Sequence, residues 1–167
     1  MRVDGASADK DGKLLCLIRH GQGKHNPRAD LRFLWHLTQG ADPELTDKGK
    51  QQAAALRSRL LASLPTKPEA VVVSPLSRAI QTCDAIFGDD LALPKVLCPL
   101  ITERCCSQAD VGTPASALKA RRPECSAWAG LDELEEQWWP TRTLSHDEFW
   151  PLERVAKAKA WLLARDE

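Results

Sequence analysis

Apolar positions along this chain change their spacing several times, and each change predicts an element. Lys13-Leu14-Leu15-Cys16-Leu17-Ile18 is an unbroken apolar run behind one lysine. A short run of this kind predicts a strand covered on both faces of a parallel sheet. Arg19-His20-Gly21-Gln22-Gly23 follows, and two glycines this close demand a loop. Ala53, Leu56, Leu60 and Leu64 then recur at helical spacing, with Lys50, Gln51 and Arg57 on the wet side. Thr46 suits the cap of that helix, Asp47 its first turn, and Pro65 with Pro68 its end. Ala70-Val71-Val72-Val73 predicts the next strand. Ser74-Pro75 predicts a second helix start, by capping and by proline at the first helical position. Leu76, Ala79, Ile80, Cys83 and Phe87 form its buried stripe, and Gly88 stops it.

The remaining pattern is weaker. Leu31, Phe33, Leu34, Trp35 and Leu37 fit a short helix or a packed loop, and Asp42-Pro43 marks a turn. A further strand spans about Lys95 to Leu100. Residues Thr102 to Pro140 read as irregular, with an acidic helix near Leu131 to Gln137. A last helix runs from about Asp147 to the end, capped by Asp147 or Ser145, with Leu152, Val155, Ala156 and Leu163 on its apolar face. Alternating strands and helices imply an α/β fold, three-layer α/β/α with a mostly parallel central sheet. An α/β chain would place another strand after the last helix. The expectation is therefore a flexible segment over 1–12 and a domain over 13–167 that is C-terminally incomplete, marginally stable, and exposes apolar helix faces.

Composition narrows the partners. The 167 residues suit one domain, and Lys plus Arg equals Asp plus Glu at 23 each. Zero net charge argues against a nucleic-acid or anionic-membrane footprint, yet leaves room for a local basic pocket. No secretory start and no bilayer-length apolar run is present in the sequence. The six cysteines include no C-x-x-C pair and lack zinc-ligand spacing, so reduced thiols in a cytoplasmic compartment are expected, with no metal. His25 and His36 read as surface or packing residues, the tryptophans as packing, and Arg121-Arg122 before Pro123 as a solvated basic pair.

Ligands of open α/β sheets gather at the carboxyl ends of strands. Three such ends deliver Arg19-His20-Gly21, Ser74-Pro75-Leu76-Ser77-Arg78 and Ile101-Thr102-Glu103. One histidine, two arginines and one carboxylate suit phosphoryl transfer. A neutral imidazole is a competent nucleophile, and guanidiniums match the charge spread over phosphoryl oxygens. A carboxylic acid protonates the leaving alkoxide. Gly21 lets the backbone approach a phosphate, and Asn26 adds an amide donor.

The segments Leu17-Ile-Arg-His-Gly-Gln-Gly-Lys-His-Asn26, Leu45-Thr-Asp-Lys-Gly-Lys-Gln-Gln-Ala53 and Val73-Ser-Pro-Leu-Ser-Arg-Ala-Ile-Gln-Thr82 resemble the histidine phosphatase superfamily, of the phosphoglycerate-mutase-like kind. The resemblance covers residues 14–104 well and 105–167 loosely, and the Trp138-Trp139 segment resembles a plant and algal mutase-like branch. It implies that His20 is the phosphorylated nucleophile, that Arg19 and Arg78 bind the phosphoryl oxygens, and that Glu103 donates the proton. It implies a small phosphorylated substrate and no cofactor, since arginines supply the positive charge that metals supply elsewhere. Two departures stand out. Gly23 occupies a position that often holds a small hydroxyl residue. The family's second pocket histidine, on a late strand, has no counterpart, and His146 is a poor substitute. The expected function is hydrolysis of a phosphomonoester through a phosphohistidine. The alternatives are a mutase, which returns the phosphoryl group to its substrate, and a phosphate-binding module without turnover.

Overall fold

The computed structural model describes residues 13–26, 40–88, 90–140 and 152–166. The segment 1–12, the apolar stretch 31–37, His36, His146 and the expected caps Ser145 and Asp147 lie outside the described residues. Helix α1 is Asp47–Ser63, and the Thr46 hydroxyl accepts the Gly49 amide at 3.0 Å as its cap. Strand β1 is Val71–Val73 and strand β2 is Lys95–Leu97; they pair in parallel with Val72 opposite Val96. Helix α2, Ser77–Phe87, connects them. A parallel pair needs such a crossover, so the described fold is α/β with a two-stranded sheet.

Helix α2 is the centre of the molecule. It packs against α1 and β1, and buries Ser77, Arg78, Ile80, Thr82, Cys83, Ile86 and Phe87. The core gathers Leu60, Val73, Ile80, Ile86, Leu97 and Leu118. The helix starts at Ser77, later than Ser74-Pro75 predicted. The Ser74 hydroxyl accepts the Leu76 amide at 3.4 Å ahead of the helix and donates to Thr102 Oγ1 at 3.1 Å.

Several further expectations fail, each because a tertiary partner decides the outcome. Residues 13–18 form no strand, and Leu14, Leu15 and Leu17 are 49, 52 and 86 % exposed. An apolar run needs ladder partners and cover on both faces to become an inner strand, and a two-stranded sheet supplies neither. Leu131 to Gln137 forms turns rather than a helix. Its acidic side chain Glu136 accepts the Ser116 amide at 3.0 Å and hydroxyl at 2.7 Å, so it serves the start of helix α3, Ala115–Arg121. Of the expected solvated pair, Arg121 is exposed though hydrogen-bonded, and Arg122 is buried. Arg121 donates to Thr113 Oγ1 and Asp42 O at 2.8 Å each, and Arg122 is buried against Ser77 Oγ and the Glu44 carboxylate.

Helix α4, Leu152–Leu163, turns a different face inward from the one expected. Leu152, Val155, Ala156 and Leu163 are exposed, whereas Ala158 is buried. Arg154 fixes this orientation by donating to the carbonyls of Leu100 and Thr102, beside the short 3-10 turn Pro99–Ile101. None of the six cysteines forms a disulfide. Among the described residues no helix is long and apolar enough to cross a membrane.

Asp42 ties the loop before α1 to the rest. It is fully buried with a φ of 48°, in the left-handed region that aspartate tolerates better than most residues. Its carboxylate accepts the Ser77 amide at 2.7 Å, the Ser77 hydroxyl at 2.6 Å and the Thr113 hydroxyl at 2.6 Å. We predict that Asp42→Ala lowers stability by at least about 2 kcal/mol, because three donors lose one acceptor in the interior. Urea unfolding checks this; an unchanged midpoint would show that the network contributes nothing.

Candidate active site

The loop that carries His20 is held almost wholly by side chains of α1 and α2. Gln22 N–H donates to Gln52 Oε1 at 2.9 Å, and Gly21 N–H donates to Thr82 Oγ1 at 3.2 Å. Thr46 N–H donates to Gln22 O at 2.9 Å, and Leu45 N–H donates to Gln81 Oε1 at 2.8 Å. Gln52, Gln81 and Thr82 therefore act on backbone, not on a ligand. Gly21 also meets α1 directly, because a Cβ there would collide with the Gly49 carbonyl. The loop sits against the helix backbone only because both residues lack a side chain. This is a different reason for the glycine from the phosphate approach that the sequence predicted, and the Gly21 amide is already engaged.

His20 is half-buried. Its Nδ1 lies 2.6 Å from the Gly21 carbonyl, a partner that can only accept. Nδ1 is therefore the protonated nitrogen of the neutral ring, and the lone pair lies on Nε2. Nε2 is buried and has no hydrogen-bond partner. Burial pushes the imidazole below its ordinary pKa, the Gly21 contact opposes this, and the charges of Arg78 and Arg19 reinforce it while Glu103 opposes it. The neutral, nucleophilic form is favoured.

Arg78 lies in the first turn of α2 with 0 % exposure. Its Nη1 donates to Ala109 O at 2.8 Å, and Nη2 donates to Glu103 Oε2 and Asp110 Oδ1 at 3.0 Å each. A cation at a helix start opposes the dipole, and these two carboxylates offset it. Its Nε is buried without a partner. The fold thus brings His20, Arg78 and Glu103 together. Arg19 is exposed and lines a cleft of about 390 Å³ with His20, Gly21, Thr82 and Arg59, to which Arg78 does not contribute. Asn26 closes a turn: its Oδ1 accepts the Gly23 amide at 2.9 Å, and its own amide donates to Gly23 O at 2.9 Å.

Two residues of this neighbourhood were not anticipated as members. Asp110 is buried, and besides Arg78 its carboxylate accepts the amides of Cys106 and Ser107 and the Ser107 hydroxyl, at 2.9–3.1 Å. The S-x-x-D spacing from Ser107 to Asp110 is a capping-box signal that could have found it. His25 stands with its ring 5.5 Å from that of His20. Only its place in the glycine-rich loop hinted at this.

A family profile for the histidine phosphatase superfamily, branch 1, matches residues 15–165. The chain belongs to the histidine phosphatase superfamily. This member is 40 % identical to the fructose-2,6-bisphosphatase TIGAR B of Danio rerio over 108 residues, 63 % of this chain and 38 % of that protein. It is 36 % identical to phosphoglycerate mutase-like protein 1 of Arabidopsis thaliana over 80 residues, 47 % of this chain and 28 % of the relative. It is 31 % identical to phosphomutase-like protein 3 of Candida albicans over 154 residues, 80 % of this chain and 47 % of the relative. The chain spans less than half the length of these curated relatives.

Asp110 restrains Arg78 from the side away from solvent. We predict that Asp110→Asn in this histidine phosphatase superfamily member weakens phosphate binding as Arg78 loses one of its two carboxylate partners. Titration calorimetry with inorganic phosphate reads this; equal affinity would show that Glu103 and Ala109 alone hold the guanidinium.

Proposed function

We propose that this chain is a phosphatase that hydrolyses a small phosphomonoester through a phosphohistidine on His20. One observation carries the reading: the buried Nε2 lone pair of a neutral, half-buried imidazole and the Nε–H of a buried guanidinium are both unpartnered, and the guanidinium is near enough for its charge to act on the imidazole. A buried polar atom without a partner costs about 1–3 kcal/mol, so their coincidence asks for a shared ligand. An anion with an electrophilic centre satisfies both, and a phosphoryl group is one. The family membership and the similarity to a protein named a bisphosphatase agree with this.

In the proposed cycle His20 Nε2 attacks phosphorus in line, and the ester P–O bond breaks. Arg78 and Arg19 hold the phosphoryl oxygens and stabilise their charge. Glu103 gives the leaving alkoxide a proton, then takes one from the water that releases phosphate from His20. Glu103 is suited to this exchange because its side chain is half exposed while one oxygen contacts Arg78. Residues 13–167 are proposed to contribute to a three-layer α/β/α domain acting on a soluble phosphorylated metabolite.

A mutase is the second reading, favoured by the similarity to proteins named mutase-like and phosphomutase-like. It would retain the phosphoryl group and return it to the substrate. A module without turnover would bind vanadate or phosphate through Arg78 and release nothing.

The purified chain is expected to release p-nitrophenol from p-nitrophenyl phosphate. His20→Ala abolishes this, and Arg78→Ala lowers turnover by about 10²–10³-fold. Undiminished turnover in His20→Ala would sink the proposal. The imidazole of His20 is expected to titrate below 6.5 in an NMR pH series, and higher in Arg78→Ala because a neighbouring cation is removed. A midpoint above 6.5 in the wild-type chain would contradict the neutral nucleophile.

A further inference from the structure

Among the described residues, three side-chain N or O atoms are buried without a hydrogen-bond partner: His20 Nε2, Arg78 Nε and His25 Nδ1. The first two are accounted for by the proposed phosphoryl site. The third lies next to them. The His25 ring is tilted by 56° to that of His20 at a centroid distance of 5.5 Å.

Gly23 is built around this ring. A Cβ on Gly23 would stand 2.5 Å from both Nδ1 and Cε1 of His25. Any other residue at 23 would push the imidazole out. The turn that presents the ring is closed at both ends by Asn26, and Gly23 is further tied to Leu45 by a short antiparallel bridge. The loop therefore gives up a side chain at position 23 and places an imidazole in the space it leaves.

We propose that His25 is a phosphoryl-contacting residue of the His20 site, an uncharged imidazole that donates a hydrogen bond through Nδ1 to the anion held by His20 and Arg78. This deepens the phosphatase reading and rests on it. The chemistry favours a neutral donor at this point. Arg78 is already a full charge, and a second cation against it would be repelled. Burial, then Arg78, then His20 push the His25 pKa down to about 4, so the ring is uncharged at neutral pH while Asp110 and Glu103 oppose the shift only weakly. A neutral imidazole carries one N–H and one lone pair, so it can donate to a phosphoryl oxygen without adding charge.

The test is titration calorimetry of the full chain with inorganic phosphate, in the wild type and in His25→Phe, His25→Gln, Gly23→Ala and Arg78→Ala. His25→Phe keeps the ring and removes the donor, and is expected to bind phosphate about three- to tenfold more weakly, the worth of one neutral hydrogen bond. His25→Gln restores a donor and is expected to recover part of the loss. Gly23→Ala is expected to match His25→Phe by displacing the ring. If Arg78→Ala loses phosphate while His25→Phe, His25→Gln and Gly23→Ala all bind as the wild type does, the role of His25 is overturned and the phosphatase reading stands. If the wild-type chain binds no phosphate, both are overturned. Should His25→Phe fail to fold, Gly23→Ala against His25→Gln decides the matter on the same readout.

Discussion

A guanidinium with no contact to solvent survives only where acceptors surround it. Arg78 meets that constraint at the first turn of α2 through Ala109 O, Asp110 and Glu103. Two segments beside the candidate site are placed where they satisfy it. The 3-10 turn Gln108–Asp110 is held by the Asp110 carboxylate so that its oxygen reaches Arg78. The segment after β2 is placed so that Glu103 reaches the same nitrogen. Burial holds the His20 and His25 imidazoles below their ordinary pKa, and the charge of the guanidinium adds to that.

A second, separate network fixes the loop from behind. Asp42, Ser77 and Thr113 share hydrogen bonds in the interior, the exposed Arg121 closes over them, and Arg122 connects them to Glu44. The Arg122 hydrogen bond, then that of Lys24, holds the Glu44 carboxyl down at about 2. A carboxylate whose pKa is lowered on folding stabilises the fold above its ordinary value, and loses that contribution as pH falls towards 2. Ser77 and Arg78 are neighbours in sequence, so one helical turn anchors both networks. The site depends on the first and the fold on the second.

Much of this was legible in the residues. The cap at Thr46, the valine strand and the stripe of α2 are local signals, and local signals survive folding. Arg78 and Glu103 were legible as neighbours because β1 and β2 run parallel and deliver their carboxyl ends to one edge, whereas His20 comes beside them on a loop that follows no strand. Arg19 was less so: it follows the apolar run, but that run pairs with no strand and leaves Arg19 exposed on the neighbouring cleft. The acidic stretch 131–137 carried a helical composition, yet Glu136 is drawn to the start of α3. Charge on a residue says nothing about which distant backbone will claim it.

The sequence by itself determined the elements whose causes are neighbours in the chain, namely capping, periodicity, β-branching and the glycine loop, together with the residue types that phosphoryl chemistry needs. Packing set the burial of Arg122, the contact of Asp110 with Arg78, the place of the His25 ring beside His20, and the room that Gly23 leaves for that ring. Those outcomes depend on contacts between residues far apart in sequence or on the exact path of one loop. Burial and unpaired hydrogen-bonding atoms are properties of the packed molecule, so a local pattern carries at most a hint of them, as the Ser107 to Asp110 spacing does.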